Sequence, residues 1–262
     1  MNILEEIVAH KREDLKDTKT KEKISLYESG VNPSPNRRSF SSSIKNSPCG
    51  IISEFKRRSP SKPQINLDAK VSDVVKSYEI NGASAVSILT NEKYFGGLKE
   101  DIQEARIIID LPILRKEFIV DKFQILEAAY LGADAILLIA SVLNKSEINE
   151  LSQYAHQLGL EVLLEIHDEK EIDKINNTVD VIGVNNRNLK EFKTDFKHSI
   201  NLYPYLPKDK VLISESGLSH SDQLIELLDC GYNGFLIGES FMRHNLPGQA
   251  LNELIKTVIY ER

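Results

Sequence analysis

The sequence has little of what organises secreted, metal-clustered or membrane-bound proteins. Its two cysteines, Cys49 and Cys230, stand apart and neither belongs to a CxxC pair. That excludes a disulfide scaffold or a thiolate cluster as the organising principle, and it fits a reduced, cytoplasmic setting. The N-terminal stretch MNILEEIVAHKREDLKDTK lacks the long apolar core of a secretory signal. No run reaches the roughly 20 apolar residues that a membrane helix needs, so no membrane partner is expected. The histidines (His10, His156, His167, His198, His220 and His244) show no metal-ligand spacing, and no metal is expected. Positive charge is also in deficit: 33 Lys and Arg against 39 Asp and Glu leave a net charge of -6. A nucleic-acid partner is therefore not expected, and the basic run Lys56-Arg57-Arg58 is too short to form a patch for one. An anionic small ligand remains compatible, because a local site can be basic in an acidic protein.

What is present reads as one large α/β unit. The 262 residues, 41% hydrophobic and 27% charged, fall in the ordinary globular range. A closed (β/α)8 barrel needs roughly 250 residues, so one domain spanning 1–262 is expected. Residues 1–45 differ from the rest. Ile3, Leu4, Ile7 and Val8 lie at helical spacing, followed by a lysine-rich stretch and the loop-forming GVNPSPNRRS. This predicts an N-terminal helical extension of a helix or two with a Pro/Ser linker, laid over a barrel that begins near Pro48.

From there eight short apolar runs alternate with longer amphipathic segments: GIISEF, SAVSIL, LPILRK, DAILLI, EVLLEI, DVIGVN, KVLISE and NGFLIG. Buried runs separated by helical intervals predict parallel strands joined by crossovers. The interval DEKEIDKINN is short, and TDFKHSINLYP is the weakest helix of the set. Gly82, Gly132 and Gly231 each precede a strand at spacings of 50 and 99 residues, as left-handed caps on preceding helices would. The fold class expected is α/β, a (β/α)8 TIM barrel with an N-terminal helical extension. An open doubly wound sheet is the alternative, weakened because no GxGxxG follows the first strand.

Barrel enzymes place their active sites at the C-terminal ends of the strands, so the polar residues that end the apolar runs are the candidates. Glu54 and Lys56 share one face of the first strand, and Ser53 and Phe55 the other. Lys116 ends the third strand, Glu165 the fifth and Asn185 the sixth, with Arg187 beyond it. Glu215, Ser216 and Gly217 end the seventh, and Gly238 the eighth. One charge at a strand end more often caps a helix or meets solvent. A set of both signs converging on one mouth offers paired charges and acid–base chemistry instead. Gly217 and Gly238, with Ser59 after the first strand, suit a phosphate cradle built on the last two loops. Phe95 and Phe118 follow the second and third strands and could clamp an aromatic ring, although core packing is the default for phenylalanine. His167 follows Glu165 by two, which leaves a mouth position open to it; a loop or helix-capping role is the default expectation.

The stretches IISEFKRRSPS, SILTNEKYFGG, LPILRKEFIVD, GADAILLI, LLEIHDE, IGVNNRNL, ISESGL and FLIGESFMR resemble the indole-3-glycerol phosphate synthase family over residues 48–243. The N-terminal extension resembles that family's additional helical segment. The resemblance implies a cytoplasmic lyase of tryptophan biosynthesis acting on a phosphorylated small molecule, 1-(2-carboxyphenylamino)-1-deoxyribulose 5-phosphate. It implies no cofactor and no obligate protein partner. Carried over by position, Lys116 is the general acid for ring closure and Glu165 the base partner in later proton transfers. Glu54 and Lys56 form the first-strand pair, with Lys56 also placed to contact anionic groups and assist loss of hydroxide. Asn185 and Glu215 hold the reacting groups in line with support from Ser216, and Arg187 favours the anthranilate carboxylate. Ser59, Gly217 and Gly238 match the phosphate site. The resemblance fixes these positions more firmly than the division of proton transfers among them.

Two positions depart from the family pattern. Glu117 replaces the aspartate more usual after the lysine, and Glu239 stands beside the phosphate loop where some relatives have serine. A carboxylate facing phosphate would be repelled, so Glu239 is expected to turn away and offer only its backbone N–H. Two rivals remain: phosphoribosylanthranilate isomerase, a related phosphate-binding barrel, and a catalytically silent phosphosugar-binding barrel. Intact Lys116, Glu165 and Glu54 speak against the silent barrel.

Overall fold

The computed structural model describes residues 3–31, 37–188 and 193–262. The eight apolar runs form β1 (Ile51–Phe55), β2 (Ala85–Leu89), β3 (Ile113–Lys116), β4 (Ala135–Ile139), β5 (Glu161–Ile166), β6 (Val181–Asn185), β7 (Val211–Glu215) and β8 (Gly234–Ile237). Each pairs in parallel with the next and β8 pairs with β1, so the sheet is a closed barrel in sequence order. Closure leaves no sheet edge, and the alternative open sheet is excluded.

The helices before the barrel are α1 (Ile3–Thr18), α2 (Lys21–Gly30) and α3 (Phe40–Lys45). Crossovers are made by α4 (Val71–Ile80), by α5 (Glu92–Phe95) with α6 (Glu100–Ile108), by α7 (Lys122–Leu131) and by α8 (Lys145–Gln157). The short interval after β5 is a 3-10 helix, Glu169–Lys174, and the weak one after β6 condenses to α9 (Lys197–Leu202) plus a 3-10 turn. Then come α10 (Ser221–Cys230), α11 (Glu239–Met242) and α12 (Pro247–Glu261). Among the described residues no helix is long and apolar enough to cross a membrane.

The described parts of the N-terminal extension reach both ends of the barrel, and between them α2 packs on its outer side, where Tyr27 meets Phe123 and Tyr130 of α7. Phe40 and Ile44 of α3 are fully buried in the cluster that fills the barrel, beside Ile52, Ala85 and Ile213. They plug its lower end. At the opposite end Ile3, Leu4 and Ile7 of α1 face the mouth. The centre of the expected Pro/Ser linker, residues 32–36, lies outside the described residues.

Strand alternation divides the apolar side chains into two sets. Inward positions make a narrow cluster that includes Leu114, Leu163 and Ile213, while outward positions such as Val86, Ile136 and Val162 pack under the helices. Arg115 is the exception on the outer face. It is 1% exposed yet satisfied: its guanidinium meets Glu127 of α7 at 2.6 Å, the Gln124 carbonyl at 2.8 Å and the Thr90 hydroxyl at 3.1 Å. A charge in that position survives because each guanidinium nitrogen finds an acceptor.

The repeated glycines serve as expected. Gly132 and Gly231 end α7 and α10 with φ of 92° and 116°, and Gly82 follows α4 with φ of 93°. At Gly132 a β-carbon would approach only the Arg106 side chain, so backbone strain dominates the cost. Gly132→Ala is expected to lower stability by about 1–2 kcal/mol, measured by denaturant unfolding. An unchanged midpoint would contradict the left-handed cap.

Candidate active site

The mouth of the barrel is organised by one level of side chains. In β1, β3, β5 and β7 the inward residues Ile52, Leu114, Leu163 and Ile213 are aliphatic. Two residues further along the same strands stand Glu54, Lys116, Glu165 and Glu215. The stagger of a closed barrel puts such residues from alternate strands at one height. The strand period of two and the apolar runs thus deliver three carboxyls and one amine to a common plane, just above a dry core.

The distances show how that plane is held. Lys116 Nζ lies 2.8 Å from Glu215 Oε2 and 3.4 Å from Glu165 Oε2. Lys56 Nζ donates to Glu54 Oε1 at 2.7 Å. Two glycines make room: a β-carbon at Gly183 would collide with the Glu215 carboxyl, and one at Gly238 with Glu54. Gly238 is therefore a space-maker for Glu54 as well as a loop residue.

Burial and mutual repulsion set the charges. Burial pushes Glu215 up to about 7; the Lys116 ammonium offsets part of this, while Glu165 adds to it. Burial acts on Glu165 in the same direction, but Lys116, then His167, then the Asn185 amide outweigh it and hold its carboxyl below the usual range. Glu54 is likewise held down against burial by Lys56 and Lys116. Burial disfavours the Lys116 ammonium, yet Glu215, Glu165 and Glu54 together hold its proton far more firmly than a free lysine would.

A cavity of about 360 Å³ opens above this level. Every residue singled out from the sequence lines it: Glu54, Lys56, Ser59, Phe95, Lys116, Phe118, Glu165, Asn185, Arg187, Glu215, Ser216, Gly217, Gly238 and Glu239. One side is apolar. Phe95 and Phe118 lie with ring centroids 6.1 Å apart, joined by Leu89, Leu137, Ile139 and the α1 residues Ile3, Leu4 and Ile7. The opposite side carries Ser59, Gly217, Ser219, Gly238, Ser240 and Arg243. Arg187 and Arg243 have no ion-pair partner among the described residues, which leaves two cations for an anionic guest.

The loop after β7 is the strained part. Ser216 has φ of 71° and Gly217 φ of 75°, so two left-handed residues in succession turn the chain. Asn186 holds that turn from behind. Its amide donates to the Ser216 carbonyl at 3.2 Å and to Ser214 Oγ at 2.9 Å, and its oxygen accepts from Ser199 Oγ at 2.7 Å.

Some of the site was not read from the sequence. His167, for which a loop or capping role was the default and the mouth the alternative, lines the cavity 3.4 Å from Glu165. Arg243 and the α1 side chains were not singled out, because each reaches the mouth from a segment distant in sequence, and neither was Lys62, the ion-pair partner of Glu239. Glu239 is among the cavity-lining residues, and its carboxylate is ion-paired with Lys62, a residue of the loop after β1 that does not itself line the cavity. The pair neutralises the charge that would repel a phosphate. Glu117 is buried and accepts from Lys11 of α1 at 3.0 Å and from Thr90 and Asn91 at 3.3 Å each, tying α1 to β3. The short basic run is consumed internally, since Arg57 makes a two-pronged pair with Asp101 at 2.6 and 2.9 Å and Arg58 meets the Glu92 carbonyl. Among the described residues no group of three or more His, Cys, Asp and Glu is arranged to hold a metal.

Comparison with known proteins places the chain among the members of one family. The profile of the family described as Indole-3-glycerol phosphate synthase matches residues 4–254. A protein of that name from Bacteroides thetaiotaomicron is 48% identical over 257 residues, 98% of this chain and 99% of its own length. Another from Aliarcobacter butzleri is 43% identical, covering 92% of this chain and 94% of its own. Among solved structures, 3-hexulose-6-phosphate synthase from Salmonella typhimurium superposes with a TM-score of 0.64 at 11% identity, over 81% of this chain and 99% of that one. Thiamine phosphate pyrophosphorylase from Pyrococcus furiosus gives 0.62 at 16% identity, over 85% and 98%. At such identities these two speak for the fold alone.

The raised Glu215 carboxyl makes a stability prediction. Unfolded, a glutamate ionises near about 4.3; folded, Glu215 keeps its proton up to about 7. Between those values the folded state binds more protons, so this group's contribution to stability falls as pH rises. Glu215→Gln removes that loss, and its thermal midpoint relative to the parent is expected to improve steadily from pH 5 to pH 7. A difference independent of pH would contradict the assignment.

Proposed function

The chain belongs to the indole-3-glycerol phosphate synthase family, and from that premise we propose how its barrel mouth performs the reaction. The activity is ring closure, decarboxylation and dehydration of 1-(2-carboxyphenylamino)-1-deoxyribulose 5-phosphate to indole-3-glycerol phosphate, a carboxy-lyase step of tryptophan biosynthesis. The observation that carries the assignment of roles is the Lys116 ammonium, set among Glu54, Glu165 and Glu215 beneath a cavity apolar at one end and polar at the other.

The aromatic ring suits the side built from Phe95, Phe118 and the α1 aliphatics, and the phosphate suits Ser59, Gly217 and Gly238, with Arg243 near. Arg187 is free to meet the ring carboxylate. In the first step the ring carbon bearing that carboxylate attacks the ketone carbon, and the carbonyl oxygen takes a proton from Lys116 Nζ. The new alkoxide is a strong base, so even a firmly held ammonium proton transfers to it. The ring nitrogen becomes an iminium. The bond to the carboxylate then breaks, its electron pair neutralises the iminium, and carbon dioxide leaves; the iminium is the electron sink, so this route calls for no added cofactor. Finally the nitrogen lone pair expels the hydroxyl, which Lys56 helps to leave as water, and Glu165 removes a proton from the adjacent ring carbon to complete the indole. Asn185 orients Glu165, while Glu215 holds Lys116 in line and Ser216 supports the loop behind it.

On this reading the chain is one catalytic unit, with residues 1–45 supplying the barrel's floor and part of its mouth. It works in the cytoplasm on a small phosphorylated substrate without an obligate protein partner. Incubation with the carboxyphenylamino substrate should give indole absorbance together with carbon dioxide, and phosphoribosylanthranilate should not turn over. Lys116→Ala is expected to fold normally and lose about 10²–10⁴-fold in kcat. A loss under tenfold would remove Lys116 from its role.

A further inference from the structure

One buried titratable group at the mouth is not used by the mechanism above. His167 stands two residues beyond Glu165, on the same face of the chain leaving β5. Its Nε2 is 3.4 Å from Glu165 Oε1, and its Nδ1 is 3.8 Å from Glu171 Oε2. Both ring nitrogens are buried and neither has a hydrogen-bond partner among the described residues. Glu171 lies on the 3-10 helix directly after β5, and its Oε2 accepts the His167 backbone N–H at 2.6 Å. The ring is therefore enclosed between two carboxylates, with no water-exposed nitrogen.

We propose that His167 is a positioning residue: held as a cation by Glu171, it fixes the orientation and charge of Glu165 during the proton transfers. The inference rests on the reading of Glu165 as the base. It gives the two oxygens of Glu165 different work. Oε2 faces Lys116 at 3.4 Å and Oε1 faces His167 at 3.4 Å, so each is opposed by one cation. Without His167, Glu165 would share a desolvated level with Glu54 and Glu215 and depend on Lys116 alone, which Glu215 holds more closely.

The groups that face His167 fit a cationic ring. Glu165 comes from its own strand, Glu171 from the following 3-10 helix and Glu215 from β7. Lys116 of β3 stands behind Glu165, and Arg187 beyond β6 lines the same cavity. His198 of α9 contacts the backbone instead, its Nε2 2.7 Å from the His167 carbonyl oxygen. Lys174, also facing Glu171, is engaged by the Ala140 and Leu143 carbonyls. Burial alone would lower the pKa of His167, but Glu171 and then Glu165 outweigh it and the net shift is upward. A cation there favours the ionised form of Glu165, which matters most on the acid side of the rate profile. A neutral ring that gives its only proton to Glu171 presents a lone pair to Glu165, which weakens the clamp on the alkaline side.

The test is the pH dependence of kcat/KM from pH 5 to 9 for the full chain and for His167→Asn, His167→Gln, Glu171→Gln and Glu165→Gln. Loss of a cation within about 4 Å of a carboxylate raises its pKa by roughly one unit or more. The acid limb of both His167 variants is expected to move upward by that amount, with kcat lower by about tenfold and KM little changed. Glu171→Gln keeps the ring but lets it lose its proton earlier, so the alkaline limb moves to lower pH. If every His167 and Glu171 variant scales the profile down without moving either limb, His167 is merely structural and the inference fails. That failure is separable from failure of the base assignment: Glu165→Gln would still abolish turnover in the first case, and would keep activity within tenfold of the parent in the second, which overturns both.

Discussion

The mouth of this barrel depends on one ammonium. Lys116 lies within ion-pair reach of Glu215 and Glu165 and close enough to Glu54 to feel its charge, all of them buried. Ionised carboxylates taken from water each cost several kcal/mol unless they are paired. Where two buried carboxyls share one ammonium, as Glu165 and Glu215 share Lys116, the two do not both stay fully charged at neutral pH. The structure resolves this by pairing Glu54 with Lys56, dividing Lys116 between Glu165 and Glu215, and leaving Glu215 to hold a proton up to about 7. The catalytic potential of the site and its electrostatic strain thus have the same origin.

Closure of the barrel makes that arrangement possible. The aliphatic level of Ile52, Leu114, Leu163 and Ile213 keeps water out from below, and Phe40 and Ile44 seal the lower end. Above, α1 contributes apolar side chains to the wall and is tied down by Lys11 to Glu117 and by Glu6 to Tyr94 at 3.0 Å. The N-terminal segment therefore acts on both ends of the core, and the desolvation that shifts the charges depends in part on it.

The fold was legible because parallel strands buried on both faces read as continuous apolar runs, and all eight could be placed from LPILRK or DVIGVN and their counterparts. Glu54, Lys116, Glu165 and Glu215 were legible for a related reason: a charge at the end of such a run, in the inward phase, has one place to go. What escaped was whatever depends on contacts between segments. The sequence shows Arg115 beside Lys116 and so on the opposite face of the strand, but only three-dimensional pairing tells that Glu127 is the partner that keeps its charge buried there. His167 looked like a loop residue because Glu171, its partner, sits on a 3-10 helix too short to leave a periodic signal. Lys62 reaches Glu239 from another loop altogether, so the counter-charge that holds the Glu239 carboxylate was not visible in the sequence.

The central claim is that the charge imbalance at the barrel mouth is resolved by one glutamate, and it can be observed without turnover. Carbon-13 NMR of side-chain carboxyls in protein labelled at glutamate follows each group through a pH titration. The account predicts one buried carboxyl with a midpoint near 7 that disappears in Glu215→Gln. Titration of every glutamate below pH 5, with none altered except by the missing resonance, would contradict it.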